Sequence, residues 1–193
     1  MKKHQQIRHL KNMGIDVWLD LDSDEPITIS TNLDRSGGIK SIELCDDCNT
    51  PHKYSNYISS KDSVDLVVFH NVYIDSNINQ ALTIKYKKLL GNIIYSTGIK
   101  ITKVSVNDFC CLNFFNRKID KIRPARILIL GQTVANKILE TNNEIDILRG
   151  NQHEFKDILL NITYDLADIL NNAELKRLVW KDLCLFRKDM ENK

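Results

Sequence analysis

Four short apolar runs set the rhythm of the chain after residue 64: DLVVF (65–69), IKITKVSV (99–106), RILILG (126–131) and DILLNIT (157–163). Helical spacing separates them. Leu82, Tyr86, Leu89, Ile93 and Thr97 mark one face of a helix that Gly98 ends. Asp108 is expected to cap the next helix, whose face is Leu112, Phe115, Ile119 and Ile122, with Pro124 as the stop. Gly131 leads into QTVANKIL, and the last helix is expected to start at Asn171, with Glu174 in a capping-box position. Strands alternating with helices predict a short parallel sheet covered on both faces, a three-layer α/β/α domain with its regular core from about residue 64. In such sheets ligands bind at the carboxyl ends of the strands. That places the expected rim at residues 69–74, 105–109, 131–133 and 163–167.

The front of the chain follows a different pattern. Ile7, Leu10 and Met13 recur at helical spacing and Gly14 stops them; GIDVW and the acidic LDLDSDEP follow. Residues 1–11 carry Lys2, Lys3, Arg8 and Lys11 and no acid, whereas residues 16–25 carry Asp16, Asp20, Asp22, Asp24 and Glu25 and no base. A segment this short cannot bury Ile7, Leu10, Met13, Ile15, Val17 and Trp18 by itself, so these six are predicted to dock on a partner. Residues 31–63 lack periodicity and are read as mostly loop, with Pro26 and Gly37-Gly38 as breakers. The division is therefore 1–26, a short docking helix and acidic link, and 27–193, the α/β domain.

Composition changes this picture little. The chain has 193 residues, 42% of them apolar, enough for one packed core, and its net charge of +2 does not mark a uniformly basic nucleic-acid binder. No apolar run is long enough to span a bilayer and the start is not a signal peptide, so a cytoplasmic location is expected. Five cysteines in that setting are thiols or metal ligands rather than disulfides. Arg117, Lys118, Lys121, Arg123 and Arg126 are read as a solvated face near a helix end. Lys176, Arg177 and Lys181 are read as pairing with Glu174 and Asp182 along the last helix.

PARILILGQTVANKILETNNEIDILRGNQHEF followed by ITYDLADILNNAELKRLVWKDLCLF resembles the uracil-DNA glycosylase superfamily, in particular its family-4, iron–sulfur branch. The resemblance rests on Leu130, Gly131 and Ala135, on Arg149-Gly150, on Thr163, and on Lys176-Arg177, Trp180 and Asp182-Leu183. It implies a glycosylase-like fold and, in its active members, a flipped uracil, a positioned water and a stabilised leaving base. This chain departs from that chemistry. The family's Gly-Glu-Ala-Pro-Gly type loop is replaced by FHNVYID, its Thr-Asn by Thr102-Lys103, and its Thr-Xaa-His-Pro by Thr163-Tyr164-Asp165-Leu166. An aspartate cannot donate as an imidazole does, and it adds negative charge beside a developing oxyanion. No catalytic residue is therefore assigned.

The resemblance also bears on the cysteines. Cys45 and Cys48, in CDDC, stand where the iron–sulfur branch has its first ligand pair, and Cys110 or Cys111 matches a third. The fourth, expected near KVSVND, is missing. Neither a metal nor any other cofactor is expected; free thiols are set against a cluster or zinc completed by His52 or His70.

RHLKNMGIDVWLDLDSDEPITI resembles the N-terminal segment of the psi subunit of bacterial DNA polymerase III, through Leu10, Met13-Gly14-Ile15 and Trp18. In that family the segment docks on the clamp loader and the globular part, a degenerate relative of the glycosylase fold, binds the chi subunit. Leu178, Val179 and Trp180 match its last helix. The implied role is a non-catalytic bridge between clamp loader and a chi-like subunit, linked indirectly to single-strand binding protein and DNA, with no membrane involvement. A divergent glycosylase or a DNA-damage binder is the alternative.

Overall fold

The computed structural model describes residues 43–52, 63–71 and 80–191. The six expected docking residues, Ile7 to Trp18, and the acidic link lie outside the described residues, as do residues 72–74 of the expected rim.

A small antiparallel hairpin comes first, β1 (Glu43–Leu44) paired with β2 (Pro51–His52). The domain then runs β3 (Leu66–Asn71), α1 (Gln80–Ser96), β4 (Val104–Phe109), α2 (Leu112–Ile122), β5 (Arg126–Leu130), α3 (Gln132–Leu139) and α4 (Ile145–Leu148). It closes with β6 (His153–Phe155), β7 (Ile158–Thr163), α5 (Leu166–Asn171) and α6 (Leu175–Glu191). The main sheet has the order β4-β3-β5-β7-β6. Four strands are parallel and β6 is an antiparallel edge.

Side-chain alternation along the strands builds both cores. Leu66 and Val68, Val104 and Val106, and Leu128 and Leu130 face one way, where Leu89 and Ile93 of α1, Ile169 of α5 and Val179, Leu183 and Phe186 of α6 cover them. Val67 and Phe69, Ile127 and Ile129, and Leu160 and Ile162 face the other way, against Phe114, Phe115 and Ile119 of α2 and Val134, Ala135 and Ile138 of α3. The fold is thus three-layer α/β/α. The apolar runs are continuous rather than alternating because both faces are buried. Phe115 is fully buried and stacks edge-on against Phe69 at 4.8 Å and Phe155 at 4.9 Å, which ties α2 to the centre and to the far edge of the sheet. Truncating it to alanine is worth about 3–5 kcal/mol.

Several sequence expectations need correction. Asp108 lies inside β4 and is not the cap of α2, which starts four residues later with Cys111 as its cap. The chain turns out of α2 at Arg123 in the left-handed region (φ 48°), just before Pro124. The expected final helix, α6, begins at Leu175 rather than Asn171, with Asn172 Oδ1 accepting from Glu174 N at 3.0 Å, and a short helix not expected, α5, capped by Asp165, precedes it. The stretch read as loop contains the β1–β2 hairpin, and the sheet has an antiparallel edge that the four apolar runs did not announce.

The sheet order fixes where a site can form. From β3 the chain moves to β4 on one side and then to β5 on the other, so the carboxyl ends of β3 and β5 diverge at Asn71 and Gly131.

Candidate metal centre

The β1–β2 hairpin carries a tight knuckle at its tip. Cys45 N donates to Thr50 O at 2.9 Å and Asn49 N to Cys45 O at 2.8 Å. Asn49 takes the left-handed conformation (φ 54°) that this reversal requires. The turn brings Cys45 and Cys48 to one side. The other half of the site lies at the end of β4, where Cys110 follows Phe109 and Cys111 caps α2 by accepting from Phe114 N at 3.4 Å. The four Sγ atoms of Cys45, Cys48, Cys110 and Cys111 all lie within 4.8 Å of one another. Cys45 and Cys111 are 3.9 Å apart, and Cys110 and Cys111 are 3.7 Å apart. Arg117 of α2 holds the knuckle from outside, meeting Asp47 at 2.8 Å and Asp46 at 3.7 Å.

This corrects the sequence reading, which treated Cys110 and Cys111 as alternatives and so counted one ligand short. Both sulfurs face the same point. The signal available in the sequence was the adjacent pair at a strand end, with a Cys-Xaa-Xaa-Cys knuckle upstream. His70, considered as a ligand, is engaged elsewhere: Nδ1 meets Asn71 O at 2.9 Å and Nε2 lies 3.5 Å from Asp108 Oδ1.

The four sulfurs differ electrostatically. The Thr50 hydroxyl, 3.2 Å from Cys48 Sγ, brings that exposed thiol down to about 7. Burial raises Cys110 well above the ordinary thiol range and raises Cys111 as well. Several thiolates this close and partly buried need a cation among them. Four sulfurs in a compact set select zinc or iron.

The strand-end rim is built differently. Gly131, at φ 105°, lies against Asp165; a Cβ there would stand 2.7 Å from Asp165 Oδ2, so only glycine fits. Asp165 Oδ1 accepts from Ala167 N at 2.8 Å and so caps α5, while burial raises the pKa of its carboxyl above the usual range. Asn107 Nδ2 donates to Ser105 Oγ at 3.0 Å inside β4. Thr163 turns away from the rim and donates to Asp182 Oδ2 at 2.6 Å.

That last bond belongs to a buried polar lock. Arg149 donates to both Asp182 oxygens, at 2.8 and 3.1 Å, and to Leu178 O at 3.1 Å. Tyr164 packs its ring under Arg149, 5.1 Å from the guanidinium, and donates to Asp146. Burial raises Asp182, and Thr163 and Arg149 hold it back. Asp182 therefore serves Arg149 across the fold, not Lys181 or its other neighbours along α6. Arg126 likewise leaves the expected basic face: it is buried over the Phe186 ring at 5.2 Å. Arg149, Gly150, Thr163 and Asp182, all part of the sequence resemblance, meet at this lock, with Asp182 3.8 Å from the Cβ position of Gly150.

No protein-family model matches the chain, and no curated protein matches it. Among the described residues no helix is long and apolar enough to cross a membrane.

Proposed function

We propose that the chain is a non-catalytic, psi-like accessory subunit of the bacterial DNA polymerase III holoenzyme. Residues 1–26 dock on the clamp loader, and the α/β domain holds a chi-like subunit, so the protein acts by tethering. The single observation that carries the non-catalytic part is the placement of Asp165. Its carboxylate fills the space over Gly131 and caps α5, so the rim position of the resembled family's base-stabilising donor is committed to structure and bears the wrong charge. The docking part rests on the Leu10, Met13-Gly14-Ile15 and Trp18 pattern.

A peptide of residues 1–25 is expected to bind purified clamp loader, and Trp18→Ala in the full chain to weaken binding by about 2 kcal/mol, roughly thirty-fold. Unchanged binding on deletion of residues 1–25 removes the docking assignment. Purified protein is expected to release no uracil from single- or double-stranded DNA containing it; turnover abolished by Asp165→Ala would overturn the scaffold reading. The cysteine cluster favours a second reading, a metal-dependent DNA-damage binder. Tight binding to an abasic-site duplex that disappears on metal removal would select it.

A further inference from the structure

The glycosylase resemblance implies an iron–sulfur cluster at these cysteines, and the sulfurs are too close together for one. In a cubane each thiolate sits outside its own iron corner, which sets the four sulfurs on the order of 6 Å apart. A single zinc ion with bonds of about 2.3 Å draws its four sulfurs to about 3.8 Å of one another. Here Cys110 and Cys111 are 3.7 Å apart, Cys45 and Cys111 3.9 Å, and no pair exceeds 4.8 Å. Cys110 and Cys111 are neighbours in sequence at 3.7 Å, a spacing suited to two ligands of one ion and not to two corners of a cluster.

From this geometry we infer that Cys45, Cys48, Cys110 and Cys111 bind one zinc ion as a closed, mononuclear four-thiolate centre. Four thiols give up four protons to solvent as the ion enters, and no electron is transferred. The centre carries two negative charges. The N-terminus of α2, where Phe114 N–H points at Cys111 Sγ, and the Arg117 guanidinium on the adjoining aspartates both face that charge favourably. With all four positions taken by protein, the ion has no place for substrate, so its work is mechanical. It fastens the β1–β2 hairpin to the end of β4. A pair of two-residue strands has no independent stability, and Cys45 is the hairpin's buried contribution to the core among the described residues. Whatever precedes residue 43 is thereby attached to the domain at a fixed point, whichever partner it serves.

The full-length chain, expressed with both iron and zinc supplied and purified without oxygen, is tested for metal content and acid-labile sulfide. One zinc per chain and no labile sulfide are expected. Stoichiometric iron, with or without sulfide, overturns the inference, as does a folded chain holding neither metal. Serine at a buried ligand can prevent folding, so the second arm uses the exposed Cys48. Cobalt(II) in the wild-type chain is expected to give the intense visible bands of a thiolate tetrahedron, and Cys48→Ser to lower the sulfur-to-metal charge-transfer band by about a quarter, one thiolate of four. A Cys48→Ser spectrum identical to that of the wild type overturns the four-ligand set.

Discussion

The Arg149–Asp182 lock and the four-cysteine cluster both join segments far apart in the chain, and they differ in how their charges are satisfied. In the lock, a guanidinium, a carboxylate, a hydroxyl and a carbonyl answer one another, so the group is complete within the chain. In the cluster four sulfurs face one point, met by the Phe114 amide, the Thr50 hydroxyl and the Asp47 carboxylate but by no cation bonded to sulfur among the described residues. Their charged form calls for something from outside. A buried polar group that closes on itself is architecture, and one that converges without closing is a site.

The comparison can be broken in order of effect. Removing zinc with a strong chelator is expected to cost the most. At free ion about a thousand-fold above Kd the bound state gains about 4 kcal/mol, all of it lost on chelation. Hydrogen exchange should report that loss first at residues 43–52, and an unchanged pattern there would mean the sulfurs do not fasten the hairpin. Asp182→Ala leaves the half-buried Arg149 with Leu178 O and the exposed Asp146, 3.9 Å away, and is expected to cost about 2 kcal/mol, read as a fall of roughly 6 °C in Tm. That loss should be the same with and without chelator. If instead the two losses fail to add, the lock and the cluster are coupled.

The smallest effect is at Asp165. Asp165→Ala removes a helix cap and is expected to cost about 1 kcal/mol at neutral pH. The pH dependence has a definite sign. Burial raises the carboxyl in the folded state above its unfolded value, so the native chain holds the proton longer and its charged form is penalised. That penalty is present above the raised pKa and is relieved as the pH falls through it. Asp165→Asn should therefore flatten the stability gained on mild acidification. A steeper acid profile in the variant would contradict the assigned burial.

The parts of the fold legible from residues alone were those where one kind of force dominates. β3, β4, β5 and β7 announce themselves as apolar runs because both their faces are buried. β6 does not: three residues, His153 to Phe155, with one partner strand, have no periodicity to read. α5 was hidden because it has only six residues, and Leu166 and Ile169 alone give a single helical spacing. Asp108 looks like a cap in sequence, yet its backbone pairs with His70 across the sheet. The site failed for another reason. Adjacent cysteines were read as competing for one position, since regular strands and helices send neighbours apart; the bend between β4 and α2 turns both inward.

The lock has one more consequence, for the order in which the molecule is made. Arg149 emerges from the ribosome well before α6, and the carboxylate that answers its charge is Asp182, on the last helix. A nascent chain that stops before that residue leaves Arg149 with only the exposed Asp146 near it, on a sheet missing its Val179, Leu183 and Phe186 cover. The domain can thus lock only after α6 has been made, and products truncated before it are left soft enough for proteases to clear.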